Sequence, residues 1–263
     1  MTTIRHAAVA GMFYPAQTAQ LRHHIEDYLQ QAVAHLPPPK AIIVPHAGYI
    51  YSGPIAASAY ANVRSLRTQI KKVVLLGPAH RVAFTGLAAP SVDFFMTPLG
   101  QIKIDRDALA RISQLPQVIS FDDAHEQEHS LEVQLPFLQV ILDDFVLTPL
   151  VVGDADKIQV AEVLNALWGG DETLIVISSD LSHYHPYATA QQLDRATTAA
   201  IEKLQPQNID YDMACGRNPV NGLLTVAKQK HLHVRTLDLR NSGDTAGGKD
   251  RVVGYGAYAF THD

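Results

Sequence analysis

The chain has 263 residues, of which 47% are hydrophobic and 18% charged, so it is long enough to bury one large core. Its formal charge of -5 argues against nucleic acid, whose partners usually carry a basic excess. A single cysteine, Cys215, excludes an internal disulfide framework and predicts a reducing, cytoplasmic location.

The composition shows no break that would separate two domains, so we expect residues 1–263 to form one domain. The first segment, MTTIRHAAVAGMFYP, lacks the apolar core of a secretion signal. No stretch approaches the roughly 18 apolar residues that a membrane helix needs. The sequence therefore predicts neither a membrane partner nor a nucleic-acid partner.

The first predicted element is a helix in TAQLRHHIEDYLQQAV, where apolar residues recur four apart. Three prolines at 37–39 then lead into KAIIVPH, a predicted buried strand. After this strand, Gly48 and Gly53 predict a turn. The following segment PIAASAYANV predicts a helix with Pro54 in its first turn.

The same alternation of strands and helices continues along the chain. Further strands are predicted in KKVVLLGPAH, FVLTPLVVG, TLIVISSDLSH, LHVRTLDLRNSGD and VVGYGAYAF. Further helices are predicted in SLEVQLPFLQVIL, ADKIQVAEVLNALW, TAQQLDRATTAAIEKL and NGLLTVAKQK. Continuous runs of Val, Ile and Leu indicate strands that are buried on both faces. Strands that alternate with helices predict a layered α/β fold.

Five residues with useful chemistry follow the ends of predicted strands: His46, His80, Asp180, His183 and Asp244. Ligands of open α/β sheets bind beyond the carboxyl ends of the strands. Neutral imidazoles bind iron, copper or zinc. A histidine at a strand end can also simply bond to neighbouring backbone. The occurrence of two such histidines on successive strand ends favours metal ligands.

The segments SSDLSH and RNSGD each allow two interpretations. In SSDLSH, Asp180 and His183 form an acid/base pair in one interpretation, and the serines and the aspartate cap a helix in the other. In RNSGD, one interpretation is that Asp244 adds a carboxylate to two histidines and completes the facial triad of non-haem Fe(II) sites. An aspartate after glycine is also a common turn residue, and the residues alone do not favour Asp244 over Asp238.

Two further motifs are weaker indicators of function. HEQEH, at 125–129, matches the zinc-protease pattern, but the segment is highly charged and no third ligand follows, so we interpret it as a chance match. His129 is still expected to line the site. CGRNP places Cys215 beside Arg217, which would lower the thiol pKa or bind an anion. A buried, inert cysteine is the alternative.

Together these motifs are recognisable as a set. AGMFYP, VPHAGYIYSG, LLGPAH, TPLG, EHSLEVQLPFL, SSDLSHY, CGRNP and NSGD with VGYGAYAF occur in this order over essentially the whole chain. In this combination the chain resembles the Memo family, known in microbes as the AmmeMemoRadiSam system protein B. That family is similar in fold to LigB-type class III extradiol dioxygenases. The resemblance implies a single three-layer α/β/α domain around a mixed, largely buried sheet.

The resemblance also implies roles for individual residues. His46 and His80 match the two histidine ligands of the metal, and Asp244 falls where the third ligand is expected. His183 matches the acid/base, while His129 and Asp180 match residues that line the pocket. Animal members carry a cysteine at the third position. A carboxylate there shifts the expected metal from copper to Fe(II), with copper and zinc as alternatives.

Three functions are consistent with these observations. The first is a non-haem Fe(II) oxidoreductase, such as a ring-cleaving dioxygenase, that binds a bidentate small molecule while His183 moves protons. The second is a binding protein that works with radical-SAM and Amme-type proteins. The third is a zinc hydrolase, which would be active without O₂.

Overall fold

Strands and helices alternate along the chain, as the sequence predicts, in a computed structural model that describes residues 2–34 and 37–262. The strands are β1 (Ile4–Arg5), β2 (Ala41–Val44), β3 (Lys72–Pro78), β4 (Leu87–Ala89), β5 (Phe94–Thr97), β6 (Gly100–Lys103), β7 (Val118–Ser120), β8 (Val146–Val152), β9 (Thr173–Ser178), β10 (His183–His185), β11 (His233–Asn241) and β12 (Val252–Thr261). The helices are α1 (Thr18–Gln31), α2 (Tyr49–Val63), α3 (Arg106–Ile112), α4 (Asp123–Glu126), α5 (Leu135–Ile141), α6 (Lys157–Leu167), α7 (Tyr187–Glu202) and α8 (Arg217–Gln229).

The main sheet is mixed. Its strand order is β10-β12-β2-β9-β3-β8-β4-β7, and β11 pairs with the free side of β12. The four central strands, β2, β9, β3 and β8, are parallel to one another. Antiparallel partners flank them, because β12 runs against β2 and β4 runs against β8. The parallel strands therefore bring their carboxyl ends to one edge of the sheet.

Two groups of helices cover the sheet. The helices α1, α2 and α5 contact one another, and α3, α6 and α8 form a second contacting group. Every residue of β2 and β9 is buried, which requires cover on both faces of the sheet. This arrangement confirms the predicted three-layer α/β/α fold. Among the described residues, no helix has the length and apolar character that a membrane crossing needs.

The strand that precedes His46 is held firmly in the core. Ile42 and Ile43 are both 0% exposed, and burying such a side chain contributes about 1.5–3 kcal/mol. Each pairs in register with β9, Ile42 with Val176 and Ile43 with Ile177. The apolar run of this strand therefore fixes the backbone from which His46 projects.

The predicted turn around Gly53 is replaced by helix. Helix α2 begins at Tyr49, so Gly53 is helical and Pro54 lies inside the helix rather than in its first turn. A Cβ atom on Gly53 would lie 2.7 Å from Cε2 of Tyr28. Gly53 is thus required for close packing of α1 against α2. Of the two glycines, only Gly48 lies in the turn, where it is the residue before the helix.

Candidate metal centre

The carboxyl ends of three neighbouring parallel strands carry the predicted site. His46 follows β2, Asp180 follows β9 and His80 follows β3, each two residues beyond the strand. Strand β9 lies between β2 and β3. A group that sits above the end of β9 can therefore reach both histidines.

That group is Cys215. His46, His80 and Cys215 each offer a donor atom, and the three atoms lie within 4.8 Å of one another. The His46 Nε2 atom and the Cys215 Sγ atom are 3.4 Å apart. Nitrogen and sulfur ligands of one tetrahedral metal ion, at about 2.0 and 2.3 Å from it, would be about 3.5 Å apart. The spacing of these donors therefore fits a single metal ion.

The loop before α8 places the cysteine over β9. The Gly216 backbone N–H donates to Ser179 Oγ at 3.0 Å, and the Asp180 N–H donates to the Cys215 sulfur at 3.3 Å. A Cβ atom on Gly216 would lie 2.8 Å from the Ser178 carbonyl oxygen. Glycine is needed at this position because the loop approaches the strand so closely.

Asp244, which the resemblance predicts as the third ligand, has other partners in the structure. Its side chain is exposed and accepts hydrogen bonds from the Tyr187 hydroxyl and from the Asn241 N–H. Strand β11, which leads to Asp244, is two strands from β2 and four from β3 in the sheet. Other residues of the loop after β11, Ser242, Gly247 and Gly248, line a cavity together with His46 and His80. Within the described ranges, Asp244 belongs to no cluster that could hold a metal.

Hydrogen bonds orient both imidazoles. The His46 Nδ1 atom lies 2.9 Å from Ser178 Oγ, so its Nε2 faces the cysteine. The His80 Nδ1 atom lies 2.8 Å from Glu128 Oε1, which leaves its Nε2 available. Metal-bound histidines almost always use their second ring nitrogen in this way. Both rings are therefore held as metal ligands are.

Glu128 supports the site from beneath His80. Its buried carboxylate accepts from the His80 N–H and ring nitrogen and from the N–H groups of His129 and Ser130. Burial alone would raise the pKa of Glu128, but the hydrogen bonds from His80 and Ser130 lower it to about 2. Glu128 also lies in a cluster with His80 and His129. Because its oxygens are already engaged, we assign it to orienting His80 rather than to binding metal.

Glu128→Gln is expected to lower metal affinity about 10- to 100-fold, the usual effect of removing a group that orients a ligand. The neutral amide loses the charge-assisted bond to His80 and turns an NH₂ group toward donors. Competition with a chromogenic chelator measures the change. Glu126→Gln, at an exposed neighbouring carboxylate, is the control and should match the unmodified chain. Equal affinities in the two variants would contradict the assigned role.

The remaining predicted residues surround the three donors. The His129 ring stacks on His80 at 4.6 Å between centroids and contacts Phe13 in a tilted arrangement at 4.7 Å. Burial, with a further effect of His46, lowers the pKa of His129 to about 4, so this ring is neutral. Asp180 Oδ1 accepts from the His46 N–H at 2.7 Å, and burial raises the pKa of Asp180. The alternative of a helix cap is not realised, because strand β10 follows this segment.

Two cavities open onto the cluster. The first, of about 650 Å³, is lined by residues that include Phe13, His46, Tyr51, His129, Asp180 and Tyr255. The second, of about 510 Å³, is lined by residues that include Phe84, Tyr211, Cys215, Arg217 and Asn218. His80, His183 and Tyr184 line both. Small molecules can therefore approach the donors from two sides.

The HEQEH segment does not form a zinc-protease helix. Helix α4 ends at Glu126, so His125 and His129 do not share one helical face. His125 is buried, and its Nε2 lies 2.9 Å from the Ala88 carbonyl oxygen. Burial lowers the pKa of His125 to about 4. This geometry agrees with the interpretation of the motif as a chance match.

Comparison with known proteins gives a consistent family. The sequence pattern of the family described as Memo-like protein matches residues 5–259. A MEMO1 family protein of Aeropyrum pernix is 36% identical, over 97% of this chain and 98% of its own length. Another, of Aquifex aeolicus, is 37% identical, over 96% of this chain and 97% of its own length. A crystal structure of an uncharacterized protein from Escherichia coli K12 aligns with a TM-score of 0.46 and 12% identity, covering 82% of this chain and 98% of that one. On the match over residues 5–259 and on these near full-length relatives, the chain belongs to the Memo family.

Proposed function

We propose that the chain is a mononuclear metal protein of the oxidoreductase type, with His46, His80 and Cys215 as ligands. The observation that carries the proposal is the convergence of two oriented imidazoles and one thiol within 4.8 Å, between two cavities. A bound redox metal would supply electron transfer and activation of O₂ at this point.

The donor set changes the expected metal. With Asp244 as the third ligand, its carboxylate would favour Fe(II). A thiolate in its place is a softer ligand and favours Cu(I) or zinc. We therefore propose copper as the first candidate and Fe(II) as the second. The predicted ring-cleaving mechanism depends on a facial triad that includes the carboxylate, so we propose the broader oxidoreductase class instead.

We propose His183 as the residue that moves protons. It lines both cavities and is half-buried, so substrates in either cavity can reach it. An imidazole is a common general acid and base in catalysis. His129 and Asp180 have supporting roles in this proposal, since one stacks on His80 and the other holds the His46 backbone.

Anaerobic purification with metal analysis, followed by O₂ uptake with catechols and other reductants, tests the proposal. We expect one copper or iron ion per chain and O₂ uptake that depends on it.

His183→Gln should lose most of the O₂ uptake with unchanged metal content. His23→Gln, which changes an exposed histidine of α1 outside both cavities, should keep it. Zinc alone, with hydrolysis that needs no O₂, would replace the proposal with the hydrolase alternative. A chain that binds no metal would instead favour the binding protein that works with radical-SAM and Amme-type proteins.

A further inference from the structure

We propose that Arg217 forms a carboxylate-binding subsite in the second cavity, so that the small molecule bound beside Cys215 carries a carboxylate group. This inference deepens the proposed function and rests on it for one point only, that the reaction takes place at His46, His80 and Cys215. Its basis is an arginine in the cavity that lacks an acidic partner.

The guanidinium of Arg217 has unused hydrogen-bonding capacity. Its Nε atom is buried without any hydrogen-bond partner. Within residues 2–34 and 37–262, no carboxylate lies inside the 4.0 Å limit of an ion pair with it. An unsatisfied buried donor costs about 1–3 kcal/mol. An oxyanion in the cavity would pair with the terminal N–H groups of the same guanidinium, which no hydrogen bond from the described part of the chain engages.

The guanidinium also lies against an aromatic ring. Its central carbon lies 4.2 Å from the centroid of the Tyr211 ring. Stacking of this kind covers one face of the group and leaves its N–H edge for other partners. Two parallel N–H groups at such an edge match the two oxygens of a carboxylate. The free edge of Arg217 is therefore suited to a bidentate contact with a carboxylate.

The position of Arg217 connects the subsite to the metal centre. It is two residues from Cys215, so the two Cα atoms are at most about 7 Å apart. Arg217 is also the first residue of α8, and its N-cap, Gly216, provides no side-chain acceptor. The positive end of the helix adds to the attraction for an anion. One small molecule can thus contact Arg217 and the metal centre together.

Charges at the edge of the cavity indicate which anion is favoured. Asp154 and Asp212 line the same cavity and are exposed. Neither forms an ion pair with Arg217, so both keep their negative charge free to act on an incoming ligand. Repulsion by two carboxylates is stronger for a phosphate dianion than for a singly charged carboxylate. The cavity therefore favours a monoanion.

Calorimetric titration of the metal-loaded full-length chain with benzoate tests the subsite. We expect 1:1 binding that Arg217→Gln weakens at least tenfold. Arg251→Gln, at the arginine of the first cavity, is the matched control and should bind benzoate as the unmodified chain does. Benzamide, which lacks the charge, and inorganic phosphate at pH 8 should both bind more weakly than benzoate.

Several results would overturn the subsite. These are equal benzoate affinity in Arg217→Gln and the unmodified chain, loss of binding in Arg251→Gln, or benzamide binding as tightly as benzoate. If Arg217→Gln does not fold, Arg217→Lys replaces it, and loss of the bidentate edge should still weaken binding. Repeating the titration on metal-free protein separates the two proposals. Benzoate binding that depends on Arg217 in a chain without metal affinity would refute the proposed function alone.

Discussion

Cys215→Ala is expected to lower metal affinity more than a hundredfold, whereas Asp244→Ala is expected to leave it unchanged. Removing a group that only orients a ligand costs 10- to 100-fold, so removing a ligand itself should cost more. Cys215 Sγ lies 3.4 Å from the His46 Nε2 atom, at the spacing that a shared metal ion requires. Asp244 bonds instead to Tyr187 and Asn241 at the edge of the sheet.

Metal affinity in this comparison is measured by competition with a chromogenic chelator, for Cu(I) and Fe(II) separately and under anaerobic conditions. Cys215→Ser is the closer variant in size, and it should lose more affinity for Cu(I) than for Fe(II), because a hydroxyl is a harder donor than a thiol. Thermal unfolding of each variant checks that the fold persists. Loss of binding in Asp244→Ala together with retention in Cys215→Ala would restore the carboxylate as the third ligand.

The placement of His46 and His80 at neighbouring strand ends could be predicted from the sequence, because each follows an apolar run that is typical of a buried strand. His46 and His80 are fixed by β2 and β3, and the carboxyl ends of parallel strands meet at one edge. The position of Cys215, which we propose as the third ligand, could not be predicted in this way. Asp244 also follows a strand, but the hydrogen bonds that engage its two carboxylate oxygens, from Tyr187 and Asn241, are not apparent from the sequence.

Cys215 follows no strand, and its position depends on a loop contact between Gly216 and Ser179 that spans 37 residues of sequence. The motif CGRNP identifies Cys215 and Arg217 in the sequence, but it does not show how close they lie to the sheet. The sequence pattern does not predict strands β4 to β7, for a different reason. They have three or four residues each, which is too short for a periodic pattern to form.

The N-terminal segment is held against the site by a buried ion pair between Arg5 and Glu132, whose side chains are 6% and 0% exposed. Glu132 also accepts from the N–H groups of Ala8 and Val9 at 2.8 and 3.0 Å and from the Tyr14 hydroxyl at 2.5 Å. One carboxylate therefore organises the loop that carries Phe13, the residue whose ring contacts His129.

Arg5→Met is expected to lower the free energy of unfolding by about 3–5 kcal/mol, because it leaves the Glu132 charge buried without its cationic partner. Domains are commonly stable by only about 5–15 kcal/mol, so this loss is a large fraction of the total. Arg67→Met is the matched control. It breaks an ion pair with Asp143 whose side chains are 53% and 39% exposed, and it should cost less than about 1 kcal/mol.

Urea unfolding of both variants, followed by circular dichroism, measures the difference. Equal losses would show that Glu132 keeps enough of its binding energy from the loop N–H groups and from Tyr14 to do without Arg5. Hydrogen exchange adds a local test, because the N–H groups of Ala8 and Val9 bond to the same carboxylate. If the ion pair supports the loop, their protection should fall in Arg5→Met more than that of β2, which is paired on both sides within the sheet. The wall of the first cavity that Phe13 provides would then loosen before the strand that positions His46 does.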